Sequence, residues 1–149
     1  MSFVIKLTIP DNIIAVPEKI EAGIKQATKD STILVTKAAI GYAPRKFGTL
    51  KRSVRSEVAS FTGTVIQDAE VANYGAFVNN GTGIYGPLNT PIVPKTKPFL
   101  QWKGSNGWYR AKSVKGMKAR PFMEPALLDN QENINQIFQT MIDEAIGGD

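Results

Sequence analysis

Residues 17–42 carry the longest regular pattern of the sequence, and this pattern predicts a single amphipathic α-helix. Apolar and small side chains recur every three or four residues, at Ile20, Ile24, Ala27, Ser31, Leu34 and Ala38. Pro17 suits a first helical turn, and Pro44 predicts the end of the helix because the residue before a proline is driven out of the helical conformation. A helix of this length must bury its apolar stripe, so the sequence predicts a layered fold.

Short segments in which apolar and polar side chains alternate predict the second layer of the fold. The alternation predicts β-strands at residues 3–9, 54–60, 64–67 and 72–79. A hairpin turn is predicted at Thr62-Gly63. A second amphipathic helix is predicted over residues 125–146, with one face formed by Leu127, Ile134, Ile137, Phe138, Met141 and Ala145. We therefore predict one α+β domain over residues 1–149, in which a small antiparallel sheet packs against a long N-terminal helix and a C-terminal helix.

Residues 81–120 interrupt this regularity. They contain six glycines, four prolines and little periodicity, which predicts a long, basic, extended arm or loop. Their aromatic residues argue against disorder, because disordered segments are poor in aromatics. We predict that residues 84–118 are partly mobile in the free protein and become ordered against a partner. The predicted interface residues are Lys95, Lys97, Trp102, Trp108, Arg110, Lys112 and Lys115.

The net charge of +5 is unevenly distributed along the chain. Six bases and no acid lie between Asp30 and Glu57, and eight bases and no acid lie between Glu70 and Glu124. A basic middle of this kind predicts an acidic partner, either a protein or a nucleic acid. Bases interleaved with tryptophan and tyrosine suit stacking on nucleic-acid bases. The same residue types are enriched at protein interfaces, and a protein-docking arm is the preferred interpretation.

The chain contains no cysteine and no histidine. It therefore lacks disulfides, thiolate nucleophiles, cysteine-based metal sites and the commonest general base. The thirteen acids are scattered, so no carboxylate metal site is indicated. We predict a protein that is not an enzyme, with no catalytic residue, no cofactor and no metal. No segment predicts a signal peptide or a membrane span, so we expect a cytoplasmic protein without a membrane partner.

Two local patterns have a chemical alternative. Gly81–Gly86 fits G-x-G-x-x-G, but dinucleotide binding needs a helix directly afterwards and an acid about 20 residues later. Prolines follow here and the next acid is Glu124, so the pattern favours a glycine-rich turn. Ser53 and Ser56 lie near Lys51, which is the composition of a Ser–Lys nucleophile pair. Nothing supplies an oxyanion hole, so a charged surface strand is favoured.

Three stretches, taken together and in order, resemble a known family. Residues 44–53 are similar to the P-x-x-T-G-x-L-R-x-S loop and strand of tailed-bacteriophage neck and minor tail-component proteins. Residues 74–82 resemble that family's Y-A-x-x-V-E-x-G-T strand, and residues 120–127 resemble its R-P-F-L-x-P-A lead into the last helix. Phe47 and Asn79 depart from the pattern, since the family has a small polar residue and an acid at these positions.

The resemblance covers residues 17–146 and implies a structural virion protein at the head–tail junction. Such a protein acts in tail completion or head–tail joining, as an oligomeric ring that we expect to be a hexamer. The implied partners are further copies of the chain and the neighbouring head-connector and tail proteins, assembled in the bacterial cytoplasm. A tail terminator that caps the tail tube is the alternative. The residues implied to define the fold are Gly48, Leu50, Ser53, Gly81, Thr82, Gly83, Pro121, Phe122 and Pro125.

Overall fold

The computed structural model describes residues 2–8, 17–45 and 48–147. Its strands are β1 (Phe3–Thr8), β2 (Val54–Ala59), β3 (Thr62–Gln67), β4 (Leu100–Gly104) and β5 (Gly107–Ala111). Its helices are α1 (Glu18–Tyr42), α2 (Thr49–Arg52), α3 (Gly75–Asn80), α4 (Met123–Leu128) and α5 (Gln131–Gly147), and a 3₁₀ turn covers Gly83–Tyr85. Ile9, at the end of the predicted first strand, and Phe47 lie outside the described residues.

The chain divides into two compact units. We call them the body, which comprises Met1–Gly75 and Phe122–Asp149, and the arm unit, which comprises Ala76–Pro121. In the body, an antiparallel sheet in the order β1-β3-β2 packs against α1, and α4 and α5 also pack on α1. These elements confirm the predicted α+β fold. The prediction that residues 1–149 form a single domain stays a prediction.

The core of the body lies between α1, the sheet and the C-terminal helices. Its largest fully buried apolar side chains are Phe122 and Met123, where α4 begins. On α1 the predicted face is extended by Val35 and Ala39, both buried. The buried apolar residues are Ile24, Ala27, Val35, Ala39, Ala43, Leu50, Val54, Val65, Ala72, Phe122, Met123, Ala126 and Ile134. Burial of these side chains stabilises the contact between helix and sheet.

A glycine sets how closely α1 crosses the sheet. A Cβ atom on Gly63 would lie 1.8 Å from the Oγ1 atom of Thr32, so no larger residue fits while α1 keeps this position. The predicted turn at Thr62-Gly63 is wrong, because both residues belong to β3. The turn lies at Ser60-Phe61, where Ser60 has a φ of 49°. Gly63 serves close packing and not chain reversal.

The predicted strand at 72–79 is also wrong, since α3 covers Gly75–Asn80. The cause is the buried side chain of Gln67 at the end of β3. Its Nε2 donates to the carbonyl of Ala72 at 3.0 Å, and a Cβ atom on Gly75 would lie 2.3 Å from its Cδ and Oε1 atoms. The amide therefore draws the chain away from the sheet into turns, and α3 begins directly on it.

Two further predicted elements differ in type or extent. The strand that the resemblance implies at the end of residues 44–53 is wrong, because Gly48 has a φ of 69° and starts the helix α2, and β2 begins only at Val54. The single C-terminal helix over residues 125–146 is two helices, α4 and α5, with a break at Asp129-Asn130. At this break the Nδ2 atom of Asn130 donates to the carbonyl of Ala126 at 2.9 Å, which satisfies a helix-end acceptor.

Candidate interaction surface

The arm unit is built from an outgoing and a returning chain that run side by side. At its base, the Thr82 N–H donates to the Met117 carbonyl and the Ile84 N–H donates to the Lys115 carbonyl, both at 2.8 Å. The Met117 N–H in turn donates to the Oγ1 atom of Thr82 at 2.9 Å. These bonds satisfy polar backbone groups that do not belong to a β-sheet. The base is therefore a backbone-paired stem.

Three glycines make this close pairing feasible. Gly81, Gly83 and Gly116 have φ values of 77°, 64° and 95°, in the region that favours glycine. A Cβ atom on Gly83 would lie 2.1 Å from the carbonyl oxygen of Lys115, and one on Gly116 would lie 2.1 Å from that of Thr82. A 3₁₀ turn begins at Gly83, and no α-helix opens there. The G-x-G-x-x-G pattern therefore forms the base of the arm unit.

Further along, the two chains pair again and end in a hairpin. Ile92 and Val114 form an antiparallel bridge with N–O distances of 2.9 and 3.0 Å. β4 and β5 then pair up to a two-residue turn at Ser105-Asn106. Residues 81–120, predicted to be an extended arm or loop, thus contain paired strands. The turn composition around Asn106-Gly107 is the sequence feature that indicates them. That residues 84–118 are partly mobile in the free protein stays a prediction.

The hairpin separates the two predicted tryptophans. Trp102 pairs with Tyr109 on one face, with ring centroids 5.8 Å apart and ring planes 16° apart. Trp108 pairs with Lys103 on the opposite face, because successive strand residues alternate. Both faces of the hairpin are largely exposed, and Trp108 is 67% exposed. A two-stranded hairpin is at best marginally stable alone, so these uncovered aromatic faces suit binding to a partner.

The predicted cationic residues also lie in the arm unit. The guanidinium of Arg110 lies 4.8 Å from the ring centroid of Phe99, a cation–π contact that holds the arginine on the hairpin. Lys95 lines the groove described below. The remaining predicted lysines, at positions 97, 112 and 115, are exposed. The arm unit contains no carboxylate, so none of its eight bases has an internal ion-pair partner.

An apolar groove of about 710 Å³ lies on the arm unit. Its large side chains are those of Phe77, Leu88, Ile92 and Val93, and Leu88 is 83% exposed. No pattern in the sequence predicts this groove. Prolines at positions 87, 91 and 94 flank the apolar residues, and they keep the segment out of helices and central strands. An apolar residue in such a segment cannot be told from an ordinary loop residue by periodicity.

The residues implied to define the fold are divided between the body and the arm unit. In the body, the Oγ atom of Ser53 donates to the carbonyl of Leu50 at 2.6 Å and accepts from Gln67 Nε2 at 3.1 Å. Phe122 is fully buried, Pro121 is exposed and Pro125 is partly buried. In the arm unit, Gly81, Thr82 and Gly83 form the stem described above. Their role in defining the fold stays a prediction.

Neither a metal centre nor a membrane span is found among residues 2–8, 17–45 and 48–147. No group of three or more acidic side chains in this part of the chain could hold a metal ion. None of its helices is both long enough and apolar enough to cross a bilayer. Comparison with family models, with curated proteins and with solved structures gives no match.

Proposed function

We propose that the chain is a non-enzymatic structural protein of a tailed bacteriophage or prophage. It assembles head-to-tail with copies of itself into a ring at the head–tail junction, in tail completion or head–tail joining. The observation that carries the proposal is the separation of charge along the chain. The arm unit holds eight bases and no acid, and residues 121–149 hold six acids and no base.

This separation matches what a head-to-tail ring requires. Each subunit of such a ring contacts its two neighbours through two different, complementary surfaces. The arm unit offers a basic surface with exposed aromatic side chains, which are preferred at interface cores. The acidic α4–α5 segment offers the opposite charge. Complementary charge fixes the register of association and raises its rate.

The assignment to a phage neck rests on the three sequence stretches and is supported by their places in the fold. Gly48 starts α2 with a left-handed backbone, Gly81 gives the stem its left-handed backbone at a φ of 77°, and Phe122 anchors the return of the chain into the core. Each stretch thus contains a residue that a related frame would need. The predicted interface residues, from Lys95 to Lys115, lie outside these stretches.

Electron microscopy of lysates tests the proposal. A phage that lacks this gene is grown with and without the protein supplied in trans. We expect separate DNA-filled heads and tails of normal length, which join when the protein is added. Tails of irregular length would instead identify a tail terminator. Intact infectious particles in the absence of the protein would overturn the structural role.

A nucleic-acid-binding protein is the second candidate, favoured by exposed Trp108 beside Lys103 on one hairpin face. Titration of a fluorescent single-stranded oligonucleotide at several salt concentrations separates the two functions. Binding through phosphates gives a log–log slope of about −0.7 for each phosphate neutralised on a single strand. The ring proposal expects weak binding that Trp108→Ala barely changes. Tight, steeply salt-dependent binding that is lost in Trp108→Ala would support the second candidate.

A further inference from the structure

We infer that the apolar groove of the arm unit binds the C-terminal end of α5 from a second copy of the chain. In this contact, Ile146 occupies the groove and Lys95 faces Asp143 and Glu144. The inference rests on the proposed head-to-tail assembly and names the surfaces that make it. The three observations behind it are the exposed groove, the exposed helix end and the signs of their charges.

The groove is suited to large aliphatic side chains. Phe77, Leu88 and Val93 line it, and all three are exposed to solvent. Neighbouring apolar side chains that are exposed together are typical of an interaction site. Its volume of about 710 Å³ lies within the range of pockets that enclose a bound group. Lys95 is the charged residue that lines it. An occupant should therefore combine an apolar side chain with a neighbouring carboxylate.

The end of α5 has this combination. Ile146 is 66% exposed, and Ile142 lies one turn before it, so the two share a helix face. Asp143 and Glu144 are exposed beside this face. Among the described residues, neither of them forms an ion pair with a lysine or arginine, although Gln139 donates to Asp143 at 2.9 Å.

The helix dipole favours positive charge at this end. The C-terminus of a helix carries partial negative charge and is stabilised by cations. The last turn of α5 contains no basic residue, and residues 121–149 contain none at all. Lysines of a second copy's arm unit, which has no acids of its own, would place positive charge beside this helix end. The same contact would cover Ile146.

Disulfide trapping tests the contact directly, because the natural chain has no cysteine. Val93→Cys and Ile146→Cys are made as separate variants, and one of them carries a mass tag. The two are mixed and mildly oxidised. We expect a disulfide between tagged and untagged chains at roughly tenfold the level of a control mixture, because docking raises the effective concentration of the two thiols.

The control mixture pairs Trp108→Cys with Ile146→Cys, since position 108 is also exposed but lies outside the groove. Equal trapping in both mixtures would overturn the inference. So would a Val93→Cys/Ile146→Cys double variant that forms its disulfide within one chain at high dilution. Either result would show that Ile146 does not select the groove of another copy.

Light scattering with substituted chains separates this inference from the proposed function. We expect Ile146→Asp to lower the oligomeric fraction, with an unchanged urea midpoint because the side chain is exposed. Lys95→Glu should lower it as well, and Glu144→Lys should restore it in the same chain. Oligomers that persist in Ile146→Asp would overturn only the groove contact. A natural chain that forms no oligomer and joins no heads to tails would overturn the proposed function.

Discussion

The body and the arm unit of this chain are stabilised by different physical means. In the body, apolar side chains from α1, the sheet and α4 are buried together. Within the arm unit, all of whose residues the structure describes, no apolar side chain reaches the same degree of burial. The arm unit is instead held by backbone hydrogen bonds and by glycines that permit them. Substitutions that remove apolar volume should therefore act mainly on the body, whereas the sensitive positions of the arm unit are the glycines of its stem.

The largest expected effect comes from the core of the body. Phe122→Ala removes a fully buried ring and should lower the free energy of unfolding by about 3–5 kcal/mol, since a cavity adds to the lost transfer free energy. Urea denaturation monitored by circular dichroism measures it. Leu88→Ala, a similar truncation at an exposed site of the arm unit, should change stability by less than about 0.5 kcal/mol. Equal effects would contradict the difference between the units.

The next effect is confined to the stem of the arm unit. Gly83→Ala forces a non-glycine residue to a φ of 64° and places its Cβ atom against the Lys115 carbonyl. We expect a local loss of about 1–3 kcal/mol, seen as faster hydrogen exchange at the Thr82 and Ile84 amides. The urea midpoint of the body should not move. In Gly104→Ala the added atom meets the movable Tyr109 ring, so its effect should be smaller. A midpoint shift in Gly83→Ala would show that the units unfold together.

A smaller effect is expected at the buried hydrogen bonds of Ser53 in the body. Ser53→Ala removes the hydroxyl that donates to the Leu50 carbonyl and accepts from Gln67, all buried. The loss should be about 1 kcal/mol, because the buried partners lose a hydrogen bond. Ser56→Ala is the matched control, since Ser56 is exposed on β2. The comparison fails if the two variants unfold at the same urea concentration.

The smallest effect is a pH dependence of the body. The Glu70 N–H donates to Asp68 Oδ1 at 2.9 Å, and this hydrogen bond lowers the pKa of Asp68 below its usual value. Desolvation opposes the shift, and the neighbouring Arg55 adds to it. A carboxylate with a lowered pKa in the folded state stabilises the fold above its unfolded pKa of about 4, and this is lost as the pH falls through the folded pKa. When the free energy of unfolding is measured against pH, Asp68→Asn should reduce its fall on the acid side. An unchanged fall at acid pH would exclude a contribution of the Asp68 carboxylate to stability.

The sequence predicted the elements whose pattern is long or local. The period of α1 runs over 25 residues, and its predicted bounds differ from the structure by one residue. The type of α3 could not be predicted, because the Gln67 amide turns the chain there by a tertiary contact. The strands β4 and β5 are exposed on both faces, so they lack the apolar–polar alternation that marks a half-buried strand.

The sequence predicted which residues belong to the candidate surface, but not on which faces of the arm unit they lie. The predicted cationic and aromatic residues all lie in the arm unit and are exposed. That Trp102 and Trp108 face opposite sides depends on the register of β4 with β5, which their spacing alone does not fix. The groove depends on where the prolines place Leu88 and Val93. These positions follow no repeating pattern in the sequence, so the groove could not be predicted from it.

The position of the arm unit within the sequence has a consequence for how the protein can change. The chain leaves the body after Gly75 and returns at Phe122, and at the foot of the arm unit the Arg120 N–H donates to the Val78 carbonyl at 2.8 Å. The intervening residues thus form an insertion whose two ends are tied together. Such an insertion tolerates changes of length and composition while the surrounding frame stays intact. The proposed interface can therefore diverge through changes confined to the arm unit, while the fold of the body is kept.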